Sequence, residues 1–260
     1  MKKYFLVWIQ LTKNAFSTIL SSRIDSFSYL SGKILRFFFF LFLIQGIFQY
    51  TNELVGYSKN QVILFFLTYN LIDVTAQAFF RGIYTLKHDI RKGNFDFFLM
   101  RPINPLFYVL TKLTDLLDFI FLIPIVYLTV QTVQNLGAVM PVSIGMYIFF
   151  LCLGLIIVLA IHVFTAALSI RTVESDHIIW LYRECMTLGR FPPEIFSSKI
   201  QFVFTFFIPV IIATGFPVKA LFGQIDMQMI LLGVVITFLF FGLSLLVWKN
   251  NIKYYSSASS

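Results

Sequence analysis

Charged residues are scarce in this chain of 260 residues: together they make up 12%, whereas 58% of the residues are hydrophobic. In soluble domains about a quarter of the residues are charged and close to half are apolar. A water-soluble fold of this length would have to bury more apolar surface than one core can hold. The composition therefore excludes an ordinary soluble protein and indicates an integral membrane protein.

Cysteine and histidine are also rare, with two and three residues. Cys152 falls in an apolar stretch and Cys185 in a predicted cytosolic loop, so we expect no disulfide framework. His88 and His177 have no third ligand at suitable spacing, so no metal site is predicted. His162 is the one histidine inside an apolar stretch, where a lone histidine is more often a packing residue than a ligand.

Motifs for nucleotide hydrolysis and for two hydrolase classes are missing. The sequence contains no GxxxxGK[ST] phosphate-binding loop, no HExxH and no GxSxG, so no catalytic residue or cofactor site is predicted. The chain cannot hydrolyse ATP by the phosphate-loop route. No cleavable signal peptide is expected, because Lys2 and Lys3 precede only a short apolar stretch that polar residues interrupt.

Six stretches are long and apolar enough to cross a bilayer, which takes roughly 20 residues. They are residues 34–50, 61–80, 106–133, 144–170, 201–222 and 229–248. The prediction is an all-α integral membrane protein in which residues 1–260 form a single transmembrane domain with six transmembrane helices. Pro209 is expected to kink the fifth span, and Pro217 to end or bend it.

Basic residues favour one side of this predicted bundle. With a cytosolic amino terminus, 18 of the 20 Lys and Arg residues fall in cytosolic segments, and only Lys59 and Lys219 fall outside. The positive-inside rule then places both termini and the loops 81–105 and 171–200 in the cytosol. The net charge of +8 is not gathered in one domain or stripe, so no nucleic acid partner is expected.

Residues 1–30 form a separate predicted element. Apolar side chains from Phe5 to Leu20 recur at helical spacing, and polar side chains such as Gln10 and Lys13 occupy the other side. This pattern predicts an amphipathic helix that lies in the cytosolic membrane interface, with Trp8 at the depth of the lipid headgroups.

A short amphipathic helix is predicted between spans two and three. Ile83, Leu86 and Ile90 are three or four residues apart, and Gly93 or Asn94 is expected to end the helix. The polar residues of the segment are Lys87, His88, Asp89, Arg91 and Lys92. A helix held flat at the membrane surface is well placed to be pushed by a cytosolic partner.

Asn70, Asp73 and Gln77 are spaced i, i+3, i+7 and form one polar stripe on the second span. Ionisable groups at this depth usually face a protein interior or a water path, which would make them pathway candidates. A buried polar contact between two helices is the alternative, and the spacing leaves both open. Near the start of the third span, Lys112 and Asp115 are expected to form an ordinary surface pair.

Two stretches resemble landmarks of a known family. Residues 91–105, RKGNFDFFLMRPINP, are similar to a stretch of one bacterial branch of the membrane subunits of type-2 ABC exporters. The residues that carry this likeness are Asp96, Arg101, Pro102, Asn104 and Pro105. Residues 189–196, GRFPPEIF, are similar to a second landmark through Gly189, Arg190, Pro192 and Pro193. Independently, Asn104 can cap the third span, with Pro105 in its first turn.

The resemblance implies a permease of the bacterial inner membrane that has no ATPase activity of its own. It implies two partners: a second permease subunit, identical or homologous, and a separate ABC ATPase that binds the ATP. It also implies that residues 83–94 are the coupling helix seated in the ATPase. Because the spans are apolar with few polar stripes, we expect the exported substrate to be amphipathic or hydrophobic.

Two other functional classes remain open at this point. An ion- or proton-coupled secondary transporter would be expected to contain inverted repeats, and the loops after spans two and four differ in motif and length. A non-transporting membrane scaffold would have no partner ATPase.

Overall fold

The computed structural model describes residues 2–21, 23–172 and 176–255, whose regular secondary structure is helical with no strand among them. The α-helices are α1 (Lys2–Ser21), α2 (Arg23–Ile47), α3 (Lys59–Phe80), α4 (Leu86–Arg91), α5 (Asn94–Leu99), α6 (Pro105–Thr111), α7 (Leu116–Gln134), α8 (Pro141–Thr172), α9 (Asp176–Thr187), α10 (Ser198–Phe206), α11 (Phe216–Leu221) and α12 (Met227–Asn251). Short 3₁₀ turns cover Arg81–Thr85, Leu188–Arg190, Pro193–Ile195 and Ile252–Tyr254. A π-helical turn covers Ile211–Gly215.

Five helical stretches are long and apolar enough to cross a membrane, or six if the bent pair formed by α10 and residues 211–221 counts as one span. This confirms the expected architecture at the level of a helical, multi-pass membrane protein. The structure differs from the predicted layout of spans and loops in four places.

The first difference lies at the amino-terminal end of α2. The first span was expected to begin at residue 34, but α2 begins at Arg23. Residues 23–30, expected to belong to the amino-terminal element, are therefore the first turns of this long helix.

The second difference is a break in the predicted third span, residues 106–133. Its first part is the separate helix α6, and α7 begins only at Leu116. The break follows from the hydrogen bonds of Asp115. Its side chain accepts a bond from Leu117 N at 2.9 Å, and its own N–H donates to Ala78 O at 3.0 Å. Asp115 therefore caps a new helix, and its backbone is held against α3.

The core forms around α8, which packs against α12, α11 and α3. A Cβ added at Gly154 of α8 would lie 2.6 Å from the carbonyl oxygen of Ala213. The absence of a side chain therefore lets α8 approach the π-helical turn closely, in a layer that also includes Phe150 and Ile157.

Contacts define two ends of the bundle. One end, here called the α4 end, contains the last residues of α12. There Asn251 Nδ2 donates to Ala167 O at 2.9 Å, and Trp248 packs in one cluster with Ile83 and Leu86. The opposite end contains the connections 48–58 and 222–226, joined by Tyr57 Oη and Gln224 Oε1 at 3.4 Å.

The first helix lies at the α4 end as well. The indole N–H of Trp8 donates to Thr114 Oγ1 at 3.0 Å, and the Tyr4 and Phe107 rings are 4.9 Å apart. Both ends of the described chain therefore lie at the same end of the bundle.

The third and largest difference concerns residues 171–200, expected as one loop on the side of residues 81–105. Trp180 lines a small cavity with Arg81, at the α4 end. Further along, the Arg190 guanidinium lies 3.4 Å from Tyr69 Oη, halfway up α3. Glu194 forms an ion pair with Lys219 at 2.5 Å, at the opposite end. Residues 176–194 thus run from one end of the bundle to the other.

Close packing explains how so polar a segment can pass through the bundle. A Cβ on Gly189 would lie 2.3 Å from Thr214 Oγ1, and Pro193 touches the position of a Cβ on Gly215 at 3.0 Å. Glycine and proline therefore let the extended turns fit between α3 and the π-helical turn.

The fourth difference concerns the fifth span, which was expected at residues 201–222: residues 198–221 form a hairpin instead. α10 and residues 211–221 meet at an angle of 90°, and the break surrounds Pro209, which confirms the expected kink. Glu194 before the hairpin and Lys219 within it share the opposite end of the bundle. Pro217 does not end a helix but is buried in the first turn of α11.

Candidate functional site: a basic cavity between α2, α3 and α9

A cavity of about 380 Å³ lies between α2, α3 and α9. Much of its wall is apolar or aromatic, contributed by Phe37, Phe40, Phe66, Tyr69, Val74, Phe121 and Trp180. The charged side chains that line it are Lys33, Arg36, Asp73, Arg183, Glu184 and Arg190. Such a volume and mixed lining are typical of a binding site for a small molecule or a headgroup.

The predicted polar stripe of α3 faces this cavity, because Asn70, Asp73 and Gln77 all line it. The amide of Gln77 donates to Asp73 Oδ2 at 2.7 Å. Its oxygen accepts from Lys33 Nζ of α2 at 3.1 Å. The stripe therefore both lines a cavity and connects two helices, so the two interpretations of its spacing are compatible.

Lys33 also forms an ion pair with Asp118, which is fully buried in the first turn of α7. Tyr29, one turn before Lys33 on α2, places its hydroxyl 3.5 Å from both Gln77 Oε1 and Asp118 Oδ2. These contacts hold α2 against α3 and α7 near the α4 end of the cavity.

Arg190 lies over two aromatic rings at the cavity wall. Its guanidinium carbon is 5.1 Å from the centre of the Phe40 ring and 4.9 Å from that of Tyr69. Its Nε is buried without a hydrogen-bond partner, and no carboxylate of the described residues lies within ion-pair distance of it. The cation is held by ring faces and retains donors for another group.

Sequence reasoning missed Lys33, Arg36 and Arg183 as site residues, because it counted all three as cytosolic charges. One signal was available for two of them. Lys33 and Arg36 are three residues apart and continue without a helix breaker into the apolar run that starts at Phe37. Charged side chains on one face of an uninterrupted transmembrane helix are expected to face the interior of the protein and not the lipid. No comparable signal marked Arg183, since α9 is neither long nor uniformly apolar.

The predicted coupling segment lies at the α4 end. Ile83, Leu86 and Ile90 are buried, packed in one cluster with Phe95 and Val109. Asp89 is also buried and forms an ion pair with Lys112. These four residues, predicted to contact an ATPase, therefore anchor the segment to the bundle and are not accessible to a partner.

The accessible face of the same segment is basic. His88, Arg91 and Lys92 are exposed, followed by the exposed apolar side chains Phe97 and Met100. Lys87 and Asn94 are half-buried. The chain turns at Gly93, whose φ of 72° ends α4 as the sequence indicated.

The expected surface pair between Lys112 and Asp115 is wrong. Lys112 pairs with Asp89, and Asp115 pairs with Arg81 at the end of α3. An i, i+3 pair needs a continuous helix, and α6 ends at Thr111. A Cβ on Gly82 would lie 2.2 Å from Val109 O, so this glycine allows the 3₁₀ turn to pack directly on α6.

Asn104 caps a helix as predicted, although the helix is the short α6. Its side chain accepts from Leu106 N at 2.9 Å, and Pro105 is the first helical residue. The other residues of this landmark lie nearby: the Arg101 guanidinium stacks 4.8 Å from the Tyr108 ring centre, Pro102 O accepts from Lys3, and Asp96 lies half-buried in α5.

Within the described part of the chain, no group of three His, Cys, Asp or Glu side chains could hold a metal ion. His162 packs against the Phe80 and Tyr182 rings, with Nδ1 2.8 Å from Val158 O. This is the environment expected of a packing residue.

Comparison with known proteins adds one match. The family model described as "ABC-2 family transporter protein" matches residues 34–259. No curated protein and no solved structure matches the chain. The matched region contains Arg36, Asp73, Arg183 and Arg190 of the cavity and the whole segment 81–115.

Proposed function

Because this chain belongs to the ABC-2 transporter family, we propose that it is the permease subunit of an ATP-driven exporter. In this proposal the cavity is part of the substrate pathway. The sequence has no phosphate-binding loop, so separate ABC ATPase subunits bind and hydrolyse the ATP. The permease converts their movement into a change in access to the cavity.

The observation that carries the proposal is the two-sided character of residues 81–94. The apolar side is locked into the bundle through Ile83, Leu86 and Ile90, while the basic side with Arg91 and Lys92 is exposed. A surface that is rigidly attached on one side and open on the other can transmit a push from a partner.

The connections of this segment explain how a push reaches the cavity. The 3₁₀ turn 81–85 follows α3 directly, and Arg81 pairs with Asp115 at the start of α7. Both α3 and α7 contribute side chains to the cavity wall. Displacement of the segment would therefore tilt two walls together, consistent with gating between two discrete states.

In this proposal the α4 end faces the cytosol. Lys33, Arg36, Arg183 and Arg190 line the cavity and are therefore not counted as loop charges. Lys199, which follows Glu194 in the chain, is counted with Lys59 and Lys219 at the opposite end. Most other basic side chains remain at the α4 end, so the positive-inside bias persists. The protein then lies in the bacterial cell membrane with both termini in the cytosol.

A second permease subunit, identical or homologous, completes the pathway in this proposal. Phe38, Phe39 and Phe42 of α2 are exposed in the single chain. They form an apolar surface beside the cavity that a second subunit or membrane lipid would cover.

Cross-linking tests the proposal. The tagged chain, with Cys152 and Cys185 changed to serine, is purified in mild detergent from native membranes, and co-purified ATPases are identified. Arg91→Cys and Lys92→Cys should cross-link to the ATPase subunit, whereas Ile90→Cys should not, because Ile90 is 5% exposed. Gln134→Cys, exposed at the far end of α7, is the matched control.

Absence of any co-purified ATPase would contradict the proposal. So would a complex that cross-links through Gln134→Cys but not through either basic position.

A further inference from the structure

The charges around the cavity do not balance. Lys33 is neutralised by Asp118, which leaves the three arginines of the lining against Asp73 and Glu184. Glu184 is exposed, and the Asp73 carboxylate already accepts a hydrogen bond from Gln77 at 2.7 Å. Positive charge is therefore in excess among the side chains that line the cavity.

Excess positive charge is costly in this setting. Two walls of the cavity belong to the long apolar helices α2 and α3, beside which a charge without a counter-ion loses hydration and gains little in return. Arg190 is the clearest case, because its buried Nε has no hydrogen-bond partner and its guanidinium contacts the Phe40 and Tyr69 rings and the Tyr69 hydroxyl, none of which carries a negative charge. An anion in the cavity would satisfy these donors.

The rest of the lining indicates which kind of molecule carries the anionic group. Phe37, Phe66, Phe121 and Trp180 line the same cavity, so its polar groups share the space with aromatic surface. A volume of about 380 Å³ holds a headgroup and the first part of a tail. Beyond it, the exposed side chains Phe38 and Phe39 extend the apolar surface along α2.

We infer that this cavity binds the anionic headgroup of an amphiphile, with the headgroup on Arg183 and Arg190 and the apolar tail along the aromatic wall and α2. Guanidinium groups bind phosphate and carboxylate oxygens through paired N–H donors, which suits them to this role. That the bound amphiphile is the transported substrate rests on the proposed function above. The transported substrate would then be an anionic amphiphile.

A cationic amphiphile is the alternative that the acidic side chains would favour. Asp73 lines the cavity and accepts a hydrogen bond from Gln77, and Asp118 is paired with Lys33 of the lining. A cation would have to displace these contacts and lie beside Arg190, which has no carboxylate of the described residues within ion-pair distance.

Titration calorimetry on the purified chain in a neutral maltoside detergent tests the inference. The probes are dodecyl phosphate, dodecylphosphocholine and dodecyltrimethylammonium, which share one tail and differ in headgroup charge, together with inorganic phosphate. Dodecyl phosphate should bind at least tenfold more tightly than the other two amphiphiles. Inorganic phosphate should bind much more weakly, because it lacks the tail.

Arg183→Gln and Arg190→Gln should each weaken binding of dodecyl phosphate about tenfold or more, since each removes a charge-assisted hydrogen bond. Arg36→Gln, at an exposed side chain of the lining, should have a smaller effect. Lys249→Gln removes one charge from the exposed surface of α12 and should leave the affinity unchanged. Unfolding temperatures verify that each variant is folded.

Equal affinity for the anionic and cationic amphiphiles, or unchanged binding by both folded arginine variants, would overturn the inference. Equal affinity for inorganic phosphate and dodecyl phosphate would also do so, because the tail would then contribute nothing. The titration needs no ATPase, so its failure is separable from a failure to co-purify one.

Discussion

Residues 81–115 and residues 176–221 make an instructive pair. Each follows a long helix that ends at the α4 end, and each combines short helices, glycines, prolines and several basic side chains. The first stays at that end, fixed by the ion pairs Arg81–Asp115 and Lys112–Asp89. The second returns through the bundle to pair Glu194 with Lys219.

The comparison shows that charge content alone does not decide whether a segment passes through a membrane protein. The basic side chains of the first segment include the exposed Arg91 and Lys92, whereas Arg183 and Arg190 of the second line a cavity. A polar segment can be buried when its charges have an interior to face and its backbone can pack closely.

Chemical labelling in intact cells should show the largest difference between the two segments. Ile195 is 39% exposed at the opposite end, and Arg91 is exposed at the α4 end. In a background without Cys152 and Cys185, Ile195→Cys should react fully with a membrane-impermeant maleimide. Arg91→Cys should react only after the cells are permeabilised. If Ile195→Cys also requires permeabilisation, residues 171–200 form a cytosolic loop after all.

The next largest effect is expected at Gly189, where a new Cβ would lie 2.3 Å from Thr214 Oγ1. Gly189→Ala should destabilise the protein by about 1–3 kcal/mol, because overpacking a tight contact displaces its neighbours. Gly189→Val should prevent assembly. Unfolding temperatures in detergent measure both.

Gly242→Ala of α12 is the matched control, because nothing lies within 4 Å of its added Cβ. It should be neutral or slightly stabilising. Equal effects of the two alanine variants would mean that the close approach at Gly189 does not hold the second segment in place.

Breaking one ion pair in each segment should have a smaller effect on stability, and the effect should differ between the two segments. Asp115→Asn keeps a side chain that can cap α7 but leaves Arg81, whose side chain is one-third exposed, without its partner. We expect a loss of about 1–3 kcal/mol in the free energy of unfolding, partly restored by adding Arg81→Gln. Denaturation by heat or chaotrope reports it.

Glu194→Gln breaks the more exposed Glu194–Lys219 pair and should cost less than about 1 kcal/mol. A larger loss for Glu194→Gln than for Asp115→Asn would reverse the proposed ranking of the two segments.

Local signals in the sequence were sufficient for part of the fold. The apolar runs located α3, α8 and α12, and the cap at Asn104, the turn at Gly93 and the bend at Pro209 were found from single residues. Each of these features depends on the chain within a few positions, and so it can be read without knowing what lies nearby in space.

The features that were missed depend on tertiary contacts. The break before Asp115 requires the carbonyl of Ala78, and the course of residues 176–194 requires Thr214 opposite Gly189. For the cavity, the spacing of Asn70, Asp73 and Gln77 found one wall. The opposing wall, with Arg183 and Arg190, was not predicted, because both arginines were counted as basic residues of a cytosolic loop under the positive-inside rule.

The hairpin of residues 198–221 has a consequence for the topology of the chain. Because it enters and leaves at the same end of the bundle, it adds no net pass, and the direction of α12 depends on residues 176–194 alone. Residues can therefore be inserted into or deleted from the hairpin, at the cost of its packing, without inverting the last helix. The side of the membrane on which the last helix ends is therefore determined by residues 176–194, the most polar segment that crosses the bundle.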